Sequence, residues 1–210
     1  MKNEKKYILE IIKILDKEYK DVDIALNYSN AFELLAATIL SAQCTDEQVN
    51  KVTQNLFRKY KTIGDYAKAD IIDVENIVHS TGFYRNKAKN IVNAAKIILQ
   101  KYGGKIPQTM EELIELPGVA RKTANIVLGH AFNKPVGIAV DTHVIRISNI
   151  LQLTREKDPV KIEKDLMKIT PREFWIRFPI LIQTLGRRVC KARNPNHSIC
   201  PLSKLCPENS

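Results

Sequence analysis

Along most of the chain, apolar positions recur at three- and four-residue spacing, the period of a helix with one buried face. From Lys5 to Tyr19, the residues Ile8, Ile11, Ile12 and Leu15 fall on one side while Lys and Glu fill the other. Later apolar runs open on residues that cap helices. Asn30 stands three residues before Glu33 and ahead of the run Leu34 to Leu40; Thr45 with Gln48 and Thr109 with Glu112 repeat the arrangement. No stretch sustains period-two alternation. Val136 to Val140 is the one plausible strand, and it is short enough to be a loop. Breakers at Gly64, Thr81-Gly82, Gly103-Gly104 to Pro107, Pro117-Gly118, Asn133 to Gly137, Asp158-Pro159 and Thr170-Pro171 cut the chain into about ten helices of ordinary length. The pattern predicts an all-α protein without tandem repeats.

A chain of 210 residues suits one domain or two small lobes. No apolar run approaches the roughly 18 residues of a membrane span, and Lys2 to Lys20 lacks the uninterrupted apolar core of a signal peptide. A cytoplasmic protein with no membrane partner is expected. The net charge of +10 favours polyanions, because each phosphate neutralised releases condensed counterions; a Lys-rich composition bias is the plainer alternative. Cys44 stands alone, whereas Cys190, Cys200 and Cys206 cluster near the end, which points to a metal site more than to disulfides.

The most informative stretch is Leu113 to Leu128, LIELPGVARKTANIVL. A short helix is predicted to end at Leu116, Pro117 cannot continue it, Gly118 permits an unusual backbone angle, and a second helix starts near Arg121. N–H groups at the start of that helix, with its macrodipole, suit a phosphate oxygen. Lys122 falls in the first turn beside Arg121, where the dipole and the guanidinium both disfavour a charged ammonium, the condition a lysine nucleophile needs. A phosphate-contacting lysine is the alternative. Further on, Asp141 follows the apolar Ile138-Ala139-Val140 and is placed to cap a helix from Thr142 to Leu151.

LPGVARKTA resembles the helix-hairpin-helix signature of the endonuclease III family of DNA repair enzymes, with Ala120 where a second glycine is usual. The resemblance runs from about Ala25 to Cys206. It implies that Lys122 attacks the sugar carbon bearing a damaged base, forms a Schiff base and cleaves the strand by β-elimination. It implies that Asp141, in Val140-Asp141-Thr142-His143, helps activate Lys122 and stabilises positive charge on the sugar, facing it across a cleft. Leu116, Gly118, Val119, Ala120, Arg121, Thr123 and His143 are then expected to contact DNA. Leu40 to Asp46 resembles the loop whose Gln, here Gln43, fills the gap left by a flipped nucleotide. Thr81 to Lys87 resembles a second intercalating loop, with Phe83 as the wedge. A loop amide and a core aromatic are the plain alternatives for these two.

The same family carries a C-terminal [4Fe–4S] loop with four cysteines spaced C-x6-C-x2-C-x5-C. This chain keeps the spacing as Cys190, His197, Cys200 and Cys206, with histidine in the second place. Three readings stay open: a [4Fe–4S] cluster with Cys3His ligation, zinc on the same ligands, or no metal. Lys191 and Arg193 would bring a basic strip to DNA phosphates.

The resemblance therefore implies an all-α, two-lobed helix-hairpin-helix DNA glycosylase fold. Residues 24–135 would form a six-helix barrel with the hairpin at about 111–130; 1–23 and 136–210 would form a second lobe with the metal-cluster loop at 190–206. The function implied is a DNA N-glycosylase and abasic-site lyase acting, as a monomer, on oxidised pyrimidines in double-stranded DNA, in the cytoplasm and at the nucleoid if the source is bacterial. Superfamily members that remove adenine, thymine or uracil generally lack a lysine at the Lys122 position. A non-catalytic hairpin module would need neither Lys122 nor Asp141, and an electron-transfer protein would not need the basic charge.

Overall fold

The computed structural model describes residues 2–209. Among them are eleven α-helices, four single turns of 3-10 helix and no β-strand. The chain divides into two compact units, Ala25–Lys134, and Met1–Ile24 with Pro135–Ser210.

The unit Ala25–Lys134 holds α2 (Ala31–Leu40), α3 (Asp46–Lys59), α4 (Ile63–Lys68), α5 (Ile71–Val78), α6 (Tyr84–Tyr102), α7 (Met110–Ile114) and α8 (Arg121–Phe132). Nearly every residue of α2 from Phe32 to Leu40 is buried, so this helix is apolar all round and belongs inside the unit. It packs against α3, α6 and α8, while α6 also covers α4 and α5. Tyr66 seals the far side, its ring 4.7 Å from Phe32 and 5.2 Å from Tyr60.

Local chemistry sets the helix starts. Asn30, Thr45 and Thr109 each accept the backbone N–H three residues on, as the sequence predicts. Gly64, read as a breaker, instead lies within α4. Thr62 and Asp65 form a reciprocal capping box there, and a glycine in a firmly capped first turn does not stop the helix. Asp158-Pro159 does mark a helix boundary: Asp158 accepts the Lys161 N–H and Pro159 takes the first helical position of α10. Val136 to Val140 is a loop whose Ile138, Ala139 and Val140 are buried, so its apolar run reflects burial and not a strand.

The other unit holds α1 (Lys2–Glu18), α9 (Thr142–Ile150), α10 (Pro159–Ile169), α11 (Arg177–Arg188) and the cysteine-bearing segment. Ile8, Ile11, Ile12 and Leu15 of α1 enter one core with Val144, Ile147, Ile162, Leu166, Phe178, Leu181 and Leu202. At about 1.5–3 kcal/mol for each large aliphatic side chain, that face holds α1 in place. Arg177 fastens its end, donating to Asp16 Oδ1 at 2.7 Å, Tyr19 O at 2.7 Å and Lys20 O at 3.1 Å, and to Val22 O. Tyr7 OH donates to Leu205 O at 2.9 Å. No helix among the described residues is long and apolar enough to cross a membrane.

Candidate active site

α7 ends at Ile114, two residues before the predicted Leu116, and the chain then turns tightly. Val119 N–H donates to Leu116 O at 3.1 Å, and Gly118 has φ +77°. Proline second and left-handed glycine third is the pattern of a type II turn. A Cβ on Gly118 would lie 2.7 Å from Asn90 Nδ2, so α6 also presses on this backbone. Leu116, Val119 and Thr123 are buried. Contacts from these three to DNA would come from backbone atoms. Ala120, the departure from the family signature, sits at φ −93°, ψ 171°, extended backbone that any residue adopts. Alanine there does not strain the hairpin. It also brings no capping oxygen, and α8 begins without a side-chain cap. Arg121 and Lys122 are half-buried in that opening turn.

Asp141 caps α9 as the sequence predicts, its Oδ1 accepting the Val144 N–H at 2.9 Å. It lies in the unit with Pro135–Ser210, whereas Lys122 lies in Ala25–Lys134. His143, expected at DNA, is half-buried, and its ring packs against α11: a Cβ on Gly186 would fall 2.4 Å from His143 Nδ1.

Both residues singled out for insertion into DNA have left-handed backbone. Gln43 (φ 51°) is exposed between α2 and α3, and Phe83 (φ 47°) is 67% exposed before α6. Non-glycine residues adopt this region rarely and keep it where the surroundings enforce it. Phe83 is therefore not a core aromatic. Gln48 Nε2 on α3 donates to Ser80 Oγ at 2.5 Å, tying the second loop to the helix that follows the first.

Cys190, Cys200 and Cys206 are half-buried against one hydrophobic core, while Cys44 belongs to the other unit. Burial pushes the Cys200 thiol up; the Leu202 backbone N–H opposes this, and Cys206 and Cys190 add to it. His197 is exposed at the start of a 3-10 turn. Arg146, which the sequence did not single out, donates to Cys190 O at 2.6 Å and to Cys190 Sγ at 3.5 Å. Arg187, Lys191 and Arg193 are exposed, as is Arg188, whose guanidinium stacks 5.5 Å from the Tyr19 ring. Among the described residues no three His, Cys, Asp or Glu side chains form a group that would hold a single metal ion.

Residues 36–172 match the HhH-GPD superfamily of base excision DNA repair proteins, and residues 190–206 match the iron–sulfur binding domain of endonuclease III. Endonuclease III of Synechocystis sp. is 51% identical over 99% of this chain and 94% of its own. That of Bacillus subtilis is 47% identical over 90% and 87%. The chain belongs to the endonuclease III family. A trapped endonuclease III–DNA covalent intermediate superposes with a TM-score of 0.92 at 44% identity, covering 98% of this chain and 96% of that one. The fold is thus the helix-hairpin-helix glycosylase fold, and the protein is a base-excision DNA glycosylase with abasic-site lyase activity whose partner is DNA. Its cofactor is a [4Fe–4S] cluster. The donor set fits that group. Three half-buried thiols lie against one hydrophobic core, and cysteine sulfur is the donor that iron–sulfur clusters take. As an endonuclease III, the chain departs from the four-cysteine pattern at His197.

Proposed function

We propose that this endonuclease III removes oxidised pyrimidines from double-stranded DNA and cleaves the resulting abasic strand, with Lys122 as nucleophile and Asp141 as its partner carboxylate. Supporting this is the position of Lys122, half-buried on the uncapped first turn of α8, directly after a hairpin locked by Gly118. The neutral amine would attack C1′ as the C1′–N bond to the base breaks, and the base leaves with a proton. Opening of the sugar ring gives a Schiff base on Lys122. Loss of a C2′ proton then expels the 3′ phosphate. Asp141 would hold its negative charge near the sugar as positive charge develops there. Because its carboxylate also caps α9, its position is fixed before DNA arrives.

Gln43 and Phe83 are proposed to enter the duplex when the damaged base leaves the stack. Backbone groups of Leu116, Gly118, Val119, Ala120, Arg121 and Thr123 would grip one phosphate, and Lys191 and Arg193 others. His143 would support Asp141 from inside its unit. The cluster is proposed to be held by Cys190, His197, Cys200 and Cys206 and to fix the basic loop. The units Ala25–Lys134 and its counterpart are read as the barrel lobe and the cluster lobe. The protein would work in the cytoplasm, at the nucleoid of a bacterial cell.

Borohydride trapping on duplex DNA carrying an oxidised pyrimidine tests the reading. Wild-type protein should form a covalent adduct that Lys122→Ala abolishes. An active wild-type protein that gives no adduct overturns it. Asp141→Asn separates two duties, since asparagine caps a helix about as well as aspartate; the melting temperature should hold while excision falls.

A further inference from the structure

Lys87 is the one buried lysine among the described residues, 4% exposed on the opening turn of α6. Removing an ammonium from water is costly, and an apolar side chain of equal length would fill the same space more cheaply. Its bonds point to a reason. Nζ donates to Thr81 O at 2.7 Å, inside the unit, and the backbone N–H of the same residue donates to Phe83 O at 3.2 Å. Lys87 thus grips the loop on both sides of Gly82, and Thr81 Oγ1 anchors the near end by donating to Val78 O at 2.8 Å. No side chain caps α6, and these bonds hold the loop where Phe83 keeps its left-handed backbone. Cys44, the neighbour of Gln43, is close enough to act electrostatically on Lys87, opposing the lowering that burial causes. The Gln48 to Ser80 bond ties the two segments directly.

We propose that Lys87 is a positioning residue that locks the loops of Gln43 and Phe83 together, so that both enter DNA as one preformed element. This rests on the reading that those two side chains insert into the duplex. Strained backbone at two loop tips survives only where neighbours over-determine it; Lys87 does so for the Phe83 loop without touching the substrate, and the Gln48 to Ser80 bond passes that constraint to the helix that follows Gln43.

The test uses full-length protein and duplex DNA with 2-aminopurine beside an oxidised pyrimidine. Lys87→Met keeps the length and removes the ammonium. Unstacking and single-turnover excision on duplex should fall by about 10- to 100-fold, the scale of a misplacement near 1 Å. Borohydride trapping on single-stranded abasic DNA, which needs no unstacking, should stay within about twofold of wild type. Lys87→Arg, which still donates, should recover most of the loss. Equal losses on single-stranded and duplex DNA, or wild-type unstacking by Lys87→Met, overturn the proposal. If Lys87→Met does not fold, Lys87→Leu is read by the same two substrates. The double variant Gln43→Ala with Phe83→Ala separates the failures. Normal unstacking there sinks the insertion reading itself; slow unstacking there beside a normal Lys87→Met sinks the role of Lys87 alone.

Discussion

Substituting Gly118 by alanine probes how tightly the hairpin is built. Two costs add. At φ +77° an L side chain is disfavoured by about 1–2 kcal/mol. The new Cβ would also sit 2.7 Å from Asn90 Nδ2, closer than real Cβ atoms approach, and 3.0 Å from Asn90 Cβ and Cγ, so the Asn90 side chain, α6 or the turn must shift. Overpacking of that kind costs about 1–3 kcal/mol. The stiffer unfolded chain returns under about 1 kcal/mol, leaving a net loss of about 2–4 kcal/mol. For a protein of this size that lowers Tm by roughly 5–15 °C. Gly104→Ala is the control. Its φ is +80°, yet the nearest atom to the added Cβ is Leu99 Cδ1 at 3.7 Å, so only the backbone cost applies and Tm should fall by about 2–5 °C. Adding Asn90→Ala to Gly118→Ala removes the Nδ2 and Cγ contacts but keeps the Cβ one, so it should recover most of the packing share and none of the backbone share, giving a coupling of about 1 kcal/mol in a double-mutant cycle. Thermal denaturation followed by circular dichroism measures all four proteins. A Gly118→Ala protein melting within about 1 °C of wild type refutes the reasoning, as does a double variant whose effects simply add.

Further outcomes are expected elsewhere. Lys191→Ala with Arg193→Ala should flatten the plot of log affinity against log salt by roughly 0.9 for each phosphate no longer neutralised; an unchanged slope would mean the exposed strip points away from DNA. His197→Ala should lower iron content and visible absorption while His197→Cys restores both, and full iron in the alanine variant would remove His197 from the ligand set. Lys59, at 2.6 Å, and then Tyr60 hold the Asp73 carboxyl below the usual carboxylate range, while burial and then the bond to Asp73 push Tyr60 up to about 12. A depressed folded value contributes stability that is present above the unfolded pKa of about 3.9 and lost as pH falls through the folded one. The Tm difference between wild type and Asp73→Asn should therefore be modest at pH 7 and shrink below about pH 4. A difference that grows in acid would reverse the sign of the argument.

What the sequence made legible was what local chemistry decides. Helix periodicity found the buried face of α1, and oxygen-bearing residues at Asn30, Thr45, Thr109 and Asp141 announced helix starts because the capping bond spans three residues. Gly64 does not break the chain as its residue type suggests, because a cap and a break use similar residues and only the reciprocal bonds of Thr62 and Asp65 tell them apart. Candidate site residues came from a recognisable hairpin and a cysteine spacing. Lys87, Asn90 and Arg146 were illegible for a different reason. Each owes its place to a partner on another segment, such as Thr81, Gly118 or Cys190, and no periodicity in the chain encodes such meetings. Nor could the sequence tell that His143 turns inward, since the small residue that admits its ring, Gly186, lies on α11.

The bond between Arg177 and Asp16 spans 161 positions of the chain. A ribosome adding about 5–20 residues per second covers that distance in roughly 8–32 s. Throughout that interval α1 exists with Ile8, Ile11, Ile12 and Leu15 facing water, while Ala25–Lys134 is synthesised and can pack its own core before α11 follows. The first helix made is thus among the last to be buried. Its sticky face must be shielded or tolerated by the cell until α11 and the cysteine loop emerge, which makes iron delivery a late event in the birth of each molecule.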